Sequence, residues 1–215
     1  MTRERRLTLP MSRADAQSLG LGDMVTLDGP IVMTAGIPTH HRILDGIRSG
    51  APPPIDMTGA AFFHLGSYSR EVEGGFEILY MNPTTSTRFN GVMPEIIRHF
   101  GLRCVGGKGG LDAECARALQ DVGGVYLSFL GGGAPLHSSA IRRILAVGWE
   151  DLISHYRLVK LEVDGLGPLT VAIDAHGNSL YEQLNAGADA RRAQILERMA
   201  RTRARTAGPA NEVKN

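Results

Sequence analysis

The sequence predicts a mixed α/β fold on a mixed sheet, with an N-terminal arm and a C-terminal helix. Two observations carry that expectation. Early in the chain, short apolar runs are separated by Gly, Pro and Asp in the manner of hairpin strands. Between Pro94 and Phe129 the pattern becomes helix, strand, glycine-rich loop, helix, strand, which calls for two parallel strands joined by a helical crossover. Hairpins and a crossover in one chain of this length make a mixed topology.

The elements follow in order. Leu7-Thr8-Leu9-Pro10 reads as an extended arm. Gly22-Asp23 opens a strand over Met24–Leu27, and Asp28-Gly29-Pro30 is expected to turn it back into Ile31–Thr34 as a hairpin. From His40 to Ile47 the spacing is helical, with Ile43, Leu44 and Ile47 on one face; Gly50 and Pro52-Pro53-Pro54 end it. Ala60–Leu65 reads as a buried strand closed by Gly66, and Gly74-Gly75 precedes another over Phe76–Met81. Pro94 suits the first turn of a helix running to Phe100. Then come strand Arg103–Val105, helix Leu111–Asp121 and strand Gly124–Phe129. A later strand pair, Leu158–Val163 and Leu169–Ile173, is expected to be divided by Asp164-Gly165-Leu166-Gly167. Tyr181–Arg205 reads as one long helix, with Gly187 as the point where it would break. The organisation expected is an arm (residues 1–21), a main domain (22–180) and a C-terminal helix with tail (181–215).

Composition narrows the function. The 215 residues suffice for one substantial core. A net charge of +1 gives no electrostatic case for nucleic acid. Arg191, Arg192, Arg198, Arg201, Arg203 and Arg205 cluster near the end, either as a solvated helical face or as a docking surface for a partner subunit. No apolar run approaches the roughly 20 residues that span a bilayer, and the charged start Met1–Arg6 lacks the apolar stretch of a secretory signal. Cys104 and Cys115 make no disulfide framework, so the expected compartment is cytoplasmic. Both fall in apolar patterns, and neither has a companion at metal-ligand spacing, so no metal ligand is assigned on this chain.

Two polar loops carry the chemistry. Asn82-Pro83-Thr84-Thr85-Ser86-Thr87-Arg88 gathers four hydroxyls and a guanidinium, groups that bind oxyanions and hydroxyl-bearing substrates. Val105-Gly106-Gly107-Lys108-Gly109-Gly110 places one ammonium among exposed backbone amides between a strand and a helix. It is not a phosphate loop of the Walker type, because Gly109 follows the lysine where Ser or Thr is required. A pocket for a small, oxygen-rich anion is the reading, against ordinary turns. Gly131-Gly132-Gly133 follows a further strand and leaves room for close approach. Of the histidines, one of the adjacent pair His40 and His41 is a candidate acid, base or carboxylate partner, against a capping or surface role, and His64 is a candidate pocket wall. His99, His137, His155 and His176 have no companions and read as structural.

Taken in order, these loops resemble the β subunit of the iron–sulfur hydro-lyases: L-tartrate dehydratase, the two-subunit class I fumarases, and the C-terminal domain of the single-chain class I fumarases. The resemblance runs from about Gly22 to Leu180. Its matching stretches are Gly22–Val25, Pro54–Gly59, Pro83–Arg88, Val105–Gly110 and Ile173–Asn178. It implies a swivelling β/β/α-type domain covering an active site shared with an α subunit, in an α2β2 or similar assembly. It implies a [4Fe-4S] cluster held by that α subunit and not by this chain, with an open iron acting on the departing hydroxyl. The substrate implied is a small hydroxy-carboxylate. Carried onto matching positions, Thr84, His40 and Lys108 are the catalytic candidates, with Thr84 moving the proton. Thr85, Arg88, Lys108 and Gly109 are the substrate-binding candidates.

The chain also departs from the family. Gly36-Ile37 stands where the family has Arg-Asp ahead of the matching His40, which removes a usual carboxylate contact. Asn82-Pro83, Gly66-Ser67 and Gly132-Gly133-Ala134 replace Gly-Pro, Gly-Pro and Gly-Cys-Ala. One anion half-site is kept and the other rewritten, so a substrate other than fumarate or tartrate is expected. His41 and Arg42 are the replacements at hand for the missing Arg. The rival reading is a non-catalytic, small-anion-binding homologue that keeps the fold.

Overall fold

The structure is a computed structural model that describes residues 3–206, the last three by backbone alone. Thr2 and the tail beyond Thr206 lie outside the described residues, as does the side chain of Arg205. The chain divides into two compact units, one ending at Leu180 and one beginning at Tyr181.

In the first unit, β1 (Glu4–Thr8), β2 (Met24–Met33), β3 (Ala61–Phe63), β6 (Cys104–Gly107), β7 (Val125–Ser128), β9 (Leu158–Ile173) and β8 (Ile141–Gly148) form one mixed sheet in that spatial order. β2, β3, β6 and β7 run parallel, and the long β9 runs antiparallel to both β7 and β2. That double pairing closes the sheet on itself. The strands β3, β6 and β7 are short apolar runs, buried nearly throughout, as parallel strands covered on both faces must be. A separate antiparallel hairpin, β4 (Leu65–Val72) and β5 (Gly75–Pro83), is inserted after β3.

The helices sit where their sequences place them. α1 (Arg13–Gln17) starts with a capping box between Ser12 and Asp15. α2 (Ile37–Ser49) and α3 (Met93–Phe100) both carry Pro in the first turn and end at left-handed glycines, Gly50 and Gly101. α4 (Ala113–Val122) is capped by Asp112, whose carboxylate accepts from Cys115 N–H at 3.0 Å. α5 (Ala134–Ser138) is one short turn after β7.

Two expected turns are absent, for one shared reason. Asp28-Gly29-Pro30 does not reverse the chain but lies inside β2, and Asp164–Gly167 lies inside β9. The two segments face each other across the β2–β9 ladder, where the register shifts twice between Val25 and Gly29. They are bulges. The Asp28 carboxylate accepts the Gly165 N–H at 2.7 Å, and Arg6 holds both Asp28 and Asp164. A partner strand supplies the hydrogen bonds that a turn would otherwise have made locally. Likewise the extended N-terminal segment is an edge strand: β1 pairs parallel with β2, and Leu7, Leu9 and Met11 are buried in the core. β8 was not expected, and Gly66 lies within β4 instead of closing a strand.

The second unit holds α6 (Leu180–Thr206) from Tyr181 onward, continuous through Gly187. The Arg191 side chain donates to the Gly187 carbonyl at 2.9 Å, and Arg201 pairs with Glu197 one turn back. Among the described residues no helix is long and apolar enough to cross a membrane.

Candidate active site

Four parallel strands deliver their carboxyl ends to one place, the usual location for ligands in parallel sheets. Beyond β2 come Thr34–Gly36 and the start of α2. Beyond β3 comes His64, beyond β6 comes Lys108, and beyond β7 comes the Gly131–Gly133 loop, where a Cβ on Gly131 would lie 3.8 Å from Lys108 Cδ. The β4–β5 hairpin returns the chain to the same point and leads into Thr84–Arg88.

The two polar loops are bonded to each other. Lys108 N–H donates to the Thr84 carbonyl at 3.0 Å, Ser86 N–H donates to the Lys108 carbonyl at 2.7 Å, and Thr85 and Lys108 form a parallel bridge. Thr84 N–H donates to the His64 carbonyl at 2.9 Å. The approach is close enough to exclude a side chain at Gly107, where a Cβ would overlap Ser86 Oγ and lie 3.1 Å from the Thr84 carbonyl oxygen. With their backbones fixed in this way, the Thr84 and Lys108 side chains line a common cavity of about 360 Å³. Its other walls include Ala35, Gly66, Tyr68, Tyr80, Asn82 and His155.

The remaining candidates are placed as follows. Arg88 is exposed, with Nη1 donating to Thr84 Oγ1 at 3.4 Å and its guanidinium 5.7 Å from the centre of the Phe89 ring. Among the described residues neither Arg88 nor Lys108 has a carboxylate within ion-pair distance. Thr85 is half-buried, and Gly109 is exposed with φ of 79°. His40 does not line the cavity. It is fully buried, stacked on Phe89 with ring centroids 4.0 Å apart, and its Nδ1–H donates to the Gly36 carbonyl at 2.6 Å. His64 is buried too and lies behind the cavity: Nδ1 meets Ser86 Oγ at 2.8 Å, and Tyr126 OH donates to the same hydroxyl at 2.8 Å. Thus Phe89 contacts both the exposed Arg88 and the buried His40, and a Tyr126–Ser86–His64 chain underpins the Thr84 loop.

Burial sets the protonation of this floor. It drives the His40 pKa down to about 4, against a smaller opposing effect of the Gly36 carbonyl; His41 and Arg88 add to the lowering. Burial, then the neighbouring His40, holds His64 well below the ordinary histidine range. His40 is therefore neutral when folded but takes up a proton near pH 6.5 when unfolded. The unfolded state binds more protons between those two values, so the His40 contribution to stability falls as pH drops from about 6.5 to about 4 and levels off below. The shift corresponds to about 3 kcal/mol. Urea unfolding from pH 7.5 to pH 4 is expected to show a loss in the native chain that is smaller by about this amount in His40→Phe. Equal losses in the two proteins would refute the assignment.

The missing arginine has a steric explanation. Gly36 is packed so closely that a Cβ would lie 2.5 Å from Thr39 Oγ1, 2.9 Å from Tyr156 Cβ and 3.0 Å from Tyr156 Cα. Tyr156 and its turn occupy the space. Arg42, one suggested replacement, points elsewhere and forms a bidentate pair with Asp151 at 2.9 and 2.5 Å. His41 is exposed and does not line the cavity.

The cysteines do not fit an iron–sulfur cluster. There are two where a cluster needs three or four, both are buried, and burial pushes both thiols far above their usual range. Among the described residues no group of three or more His, Cys, Asp or Glu is arranged to hold a metal ion.

The arrangement is a cation and a hydroxyl lining a strand-end cavity, with a second cation, Arg88, bonded to that hydroxyl but not among the lining residues, and comparison with known proteins bears on what it is for. The Fumarase C-terminus family matches residues 2–184. The chain belongs to that family. Family members resembling it include the L(+)-tartrate dehydratase subunit beta of Escherichia coli strain K12, 32% identical over 191 residues that make up 89% of this chain and 93% of the relative. A Methanocaldococcus jannaschii chain provisionally named for the same subunit is 35% identical over 176 residues, 81% of this chain and 90% of that one. A Geobacillus stearothermophilus protein provisionally named a class I fumarate hydratase is 30% identical over 90% of this chain, which spans 37% of it. Within the family frame, the Thr84–Arg88 and Lys108 loops were legible from sequence because each is contiguous. Tyr68, Tyr80 and His155 were missed. They reach the cavity only through the hairpin and the turn after β8, and no local pattern marks them.

Proposed function

We propose that this chain is the β subunit of a hydro-lyase that adds water to, or removes it from, a small hydroxy-carboxylate, and that it acts with an α subunit. The observation that carries the proposal is the bonded pair of loops that brings Thr84 and Lys108 to one cavity with Arg88 on the Thr84 hydroxyl. The names of the relatives at 30–35% identity support the reaction class and the partner. The [4Fe-4S] cluster is assigned to the α subunit, since the thiols of this chain do not fit one. Its two buried thiols accord with a reducing, cytoplasmic setting.

In this proposal Lys108 and Arg88 hold a carboxylate of the substrate, where charge-assisted hydrogen bonds are worth more than neutral ones. Both also stabilise the negative charge that builds next to that carboxylate as the C–H proton leaves. The Thr84 hydroxyl moves that proton. A threonine hydroxyl is a weak base, and the Arg88 guanidinium 3.4 Å away favours its ionised form. His40, neutral and buried against Phe89, acts as a support for that loop and not as a proton carrier.

The test is co-expression with the α subunit and anaerobic assay on L-tartrate, L-malate, fumarate and related hydroxy acids. Because Gly36 offers no guanidinium, malate and fumarate are expected to be poor substrates, with kcat/KM at least about tenfold below the best acid. Efficient malate turnover, about 10⁵ per molar per second, would show that the change at Gly36 is not one of specificity. An assembled complex that turns over none of the acids would favour a non-catalytic binding role.

A further inference from the structure

The turn that fills the space beside Gly36 also brings a side chain to the cavity. Ser154–Tyr156 is a single 3-10 turn ahead of β9, stitched down from both sides. Ala35 N–H donates to the His155 carbonyl at 3.0 Å, and the hydroxyls of Thr34 and Thr39 both donate to the Tyr156 carbonyl. Ser154 Oγ accepts from Ser69 N–H at 2.9 Å and donates to the Ser67 carbonyl at 3.2 Å. The turn is thereby tied to the segment after β2 and to β4, the two walls between which the cavity opens.

His155, an exposed residue of this turn, is among the residues that line the cavity shared by Thr84 and Lys108. Its ring is held edge-on against Tyr156, with centroids 4.5 Å apart, and its backbone is fixed, yet neither ring nitrogen has a hydrogen-bond partner among the described residues. Two small residues leave it room: a Cβ on Gly66 would already lie 3.2 Å from Ala35 Cβ and 3.4 Å from His155 Cβ. A polar ring on a rigid mount at the edge of a polar cavity is placed to hydrogen-bond a bound ligand.

We propose that His155 is a substrate-binding, specificity-determining residue: its ring N–H donates to the oxygen at the end of the hydroxy acid remote from Lys108, in place of the guanidinium that position 36 cannot carry. Tyr156 excludes the arginine, and the same turn delivers the imidazole. An imidazole is shorter and makes one hydrogen bond where a guanidinium makes two, so it suits a hydroxyl or a singly bonded carboxyl oxygen better than a clamped carboxylate. This rests on the hydro-lyase reading.

The test is steady-state kinetics of the assembled α–β complex with whichever acid of the panel it turns over best, comparing the native chain, His155→Ala and His155→Gln. His155→Ala is expected to raise KM about tenfold or more with kcat changed less than about threefold, and His155→Gln, which keeps an N–H donor, to recover part of the loss. The ratio of kcat/KM between that acid and malate is expected to fall in His155→Ala. A merely structural role would move thermal stability and kcat together without that rescue. Unchanged KM and unchanged substrate ratio in His155→Ala would overturn the His155 assignment and leave the hydro-lyase reading standing. A native complex that turns over no acid of the panel would overturn both.

Discussion

Thr84→Ala, in the assembled enzyme, is expected to lower kcat by about two to four decades while leaving the fold intact. Positioned proton transfer contributes about that much to rate. The fold survives because the structural duties of Thr84 belong to its backbone. Its N–H and carbonyl bond His64 and Lys108, and neither bond involves the hydroxyl. A half-buried side chain with one long hydrogen bond at 3.4 Å costs little when trimmed, within about 0.5 kcal/mol. Lys108→Met is expected to act differently, lowering kcat/KM by about one to two decades mainly through KM, since it removes a charge-assisted contact to bound carboxylate. Kinetics of both variants, with melting curves beside them, separate the two roles. A Thr84→Ala enzyme within about threefold of native kcat would remove Thr84 from the chemistry.

Gly36→Arg is expected to damage the protein and not to restore a dicarboxylate site. Read as a motif, Gly36 is simply a lost arginine, and putting it back should rescue malate turnover. The packing argues the opposite. Two of the three atoms within 3.0 Å of a Cβ there belong to Tyr156, one of them Cα, so the backbone of the turn must move. Overpacking of this kind costs about 1–3 kcal/mol. For a chain of this size that lowers the melting temperature by about 2–4 °C per kcal/mol. The displaced turn also carries His155, so activity on the preferred acid should fall as well. A Gly36→Arg protein that melts like the native one and gains malate activity would contradict this account of the site.

What the sequence made legible follows from how local each signal is. Met93–Phe100 buries Met93, Ile96, Ile97 and Phe100 at helical spacing and stops at Gly101, so start, face and end all lie within one short window. The crossover through β6, α4 and β7 was legible for the same reason. β8 was not: Ile141–Gly148 contains Arg142 and Arg143, is buried only at its end, and is a strand because β9 pairs with it. The Asp28-Gly29-Pro30 and Asp164–Gly167 segments have the composition of turns, and only their meeting across one ladder makes them bulges. The site divides in the same way. Thr84, Arg88 and Lys108 stand in two contiguous loops. By contrast, His64 looked like a pocket wall until its burial against Ser86 was known, and His155 looked structural until the turn placed it at the cavity.

The central claim is that this chain supplies one half of an active site and none of its cluster. Anaerobic iron–sulfur reconstitution, carried out on the purified chain alone and on the chain co-purified with its α subunit, tests it most directly. The account predicts that the chain alone gains no stoichiometric visible-range absorbance and turns over no hydroxy acid, while the co-purified complex does both. A cluster assembled at stoichiometry on this chain by itself, with turnover of a hydroxy acid, would contradict it.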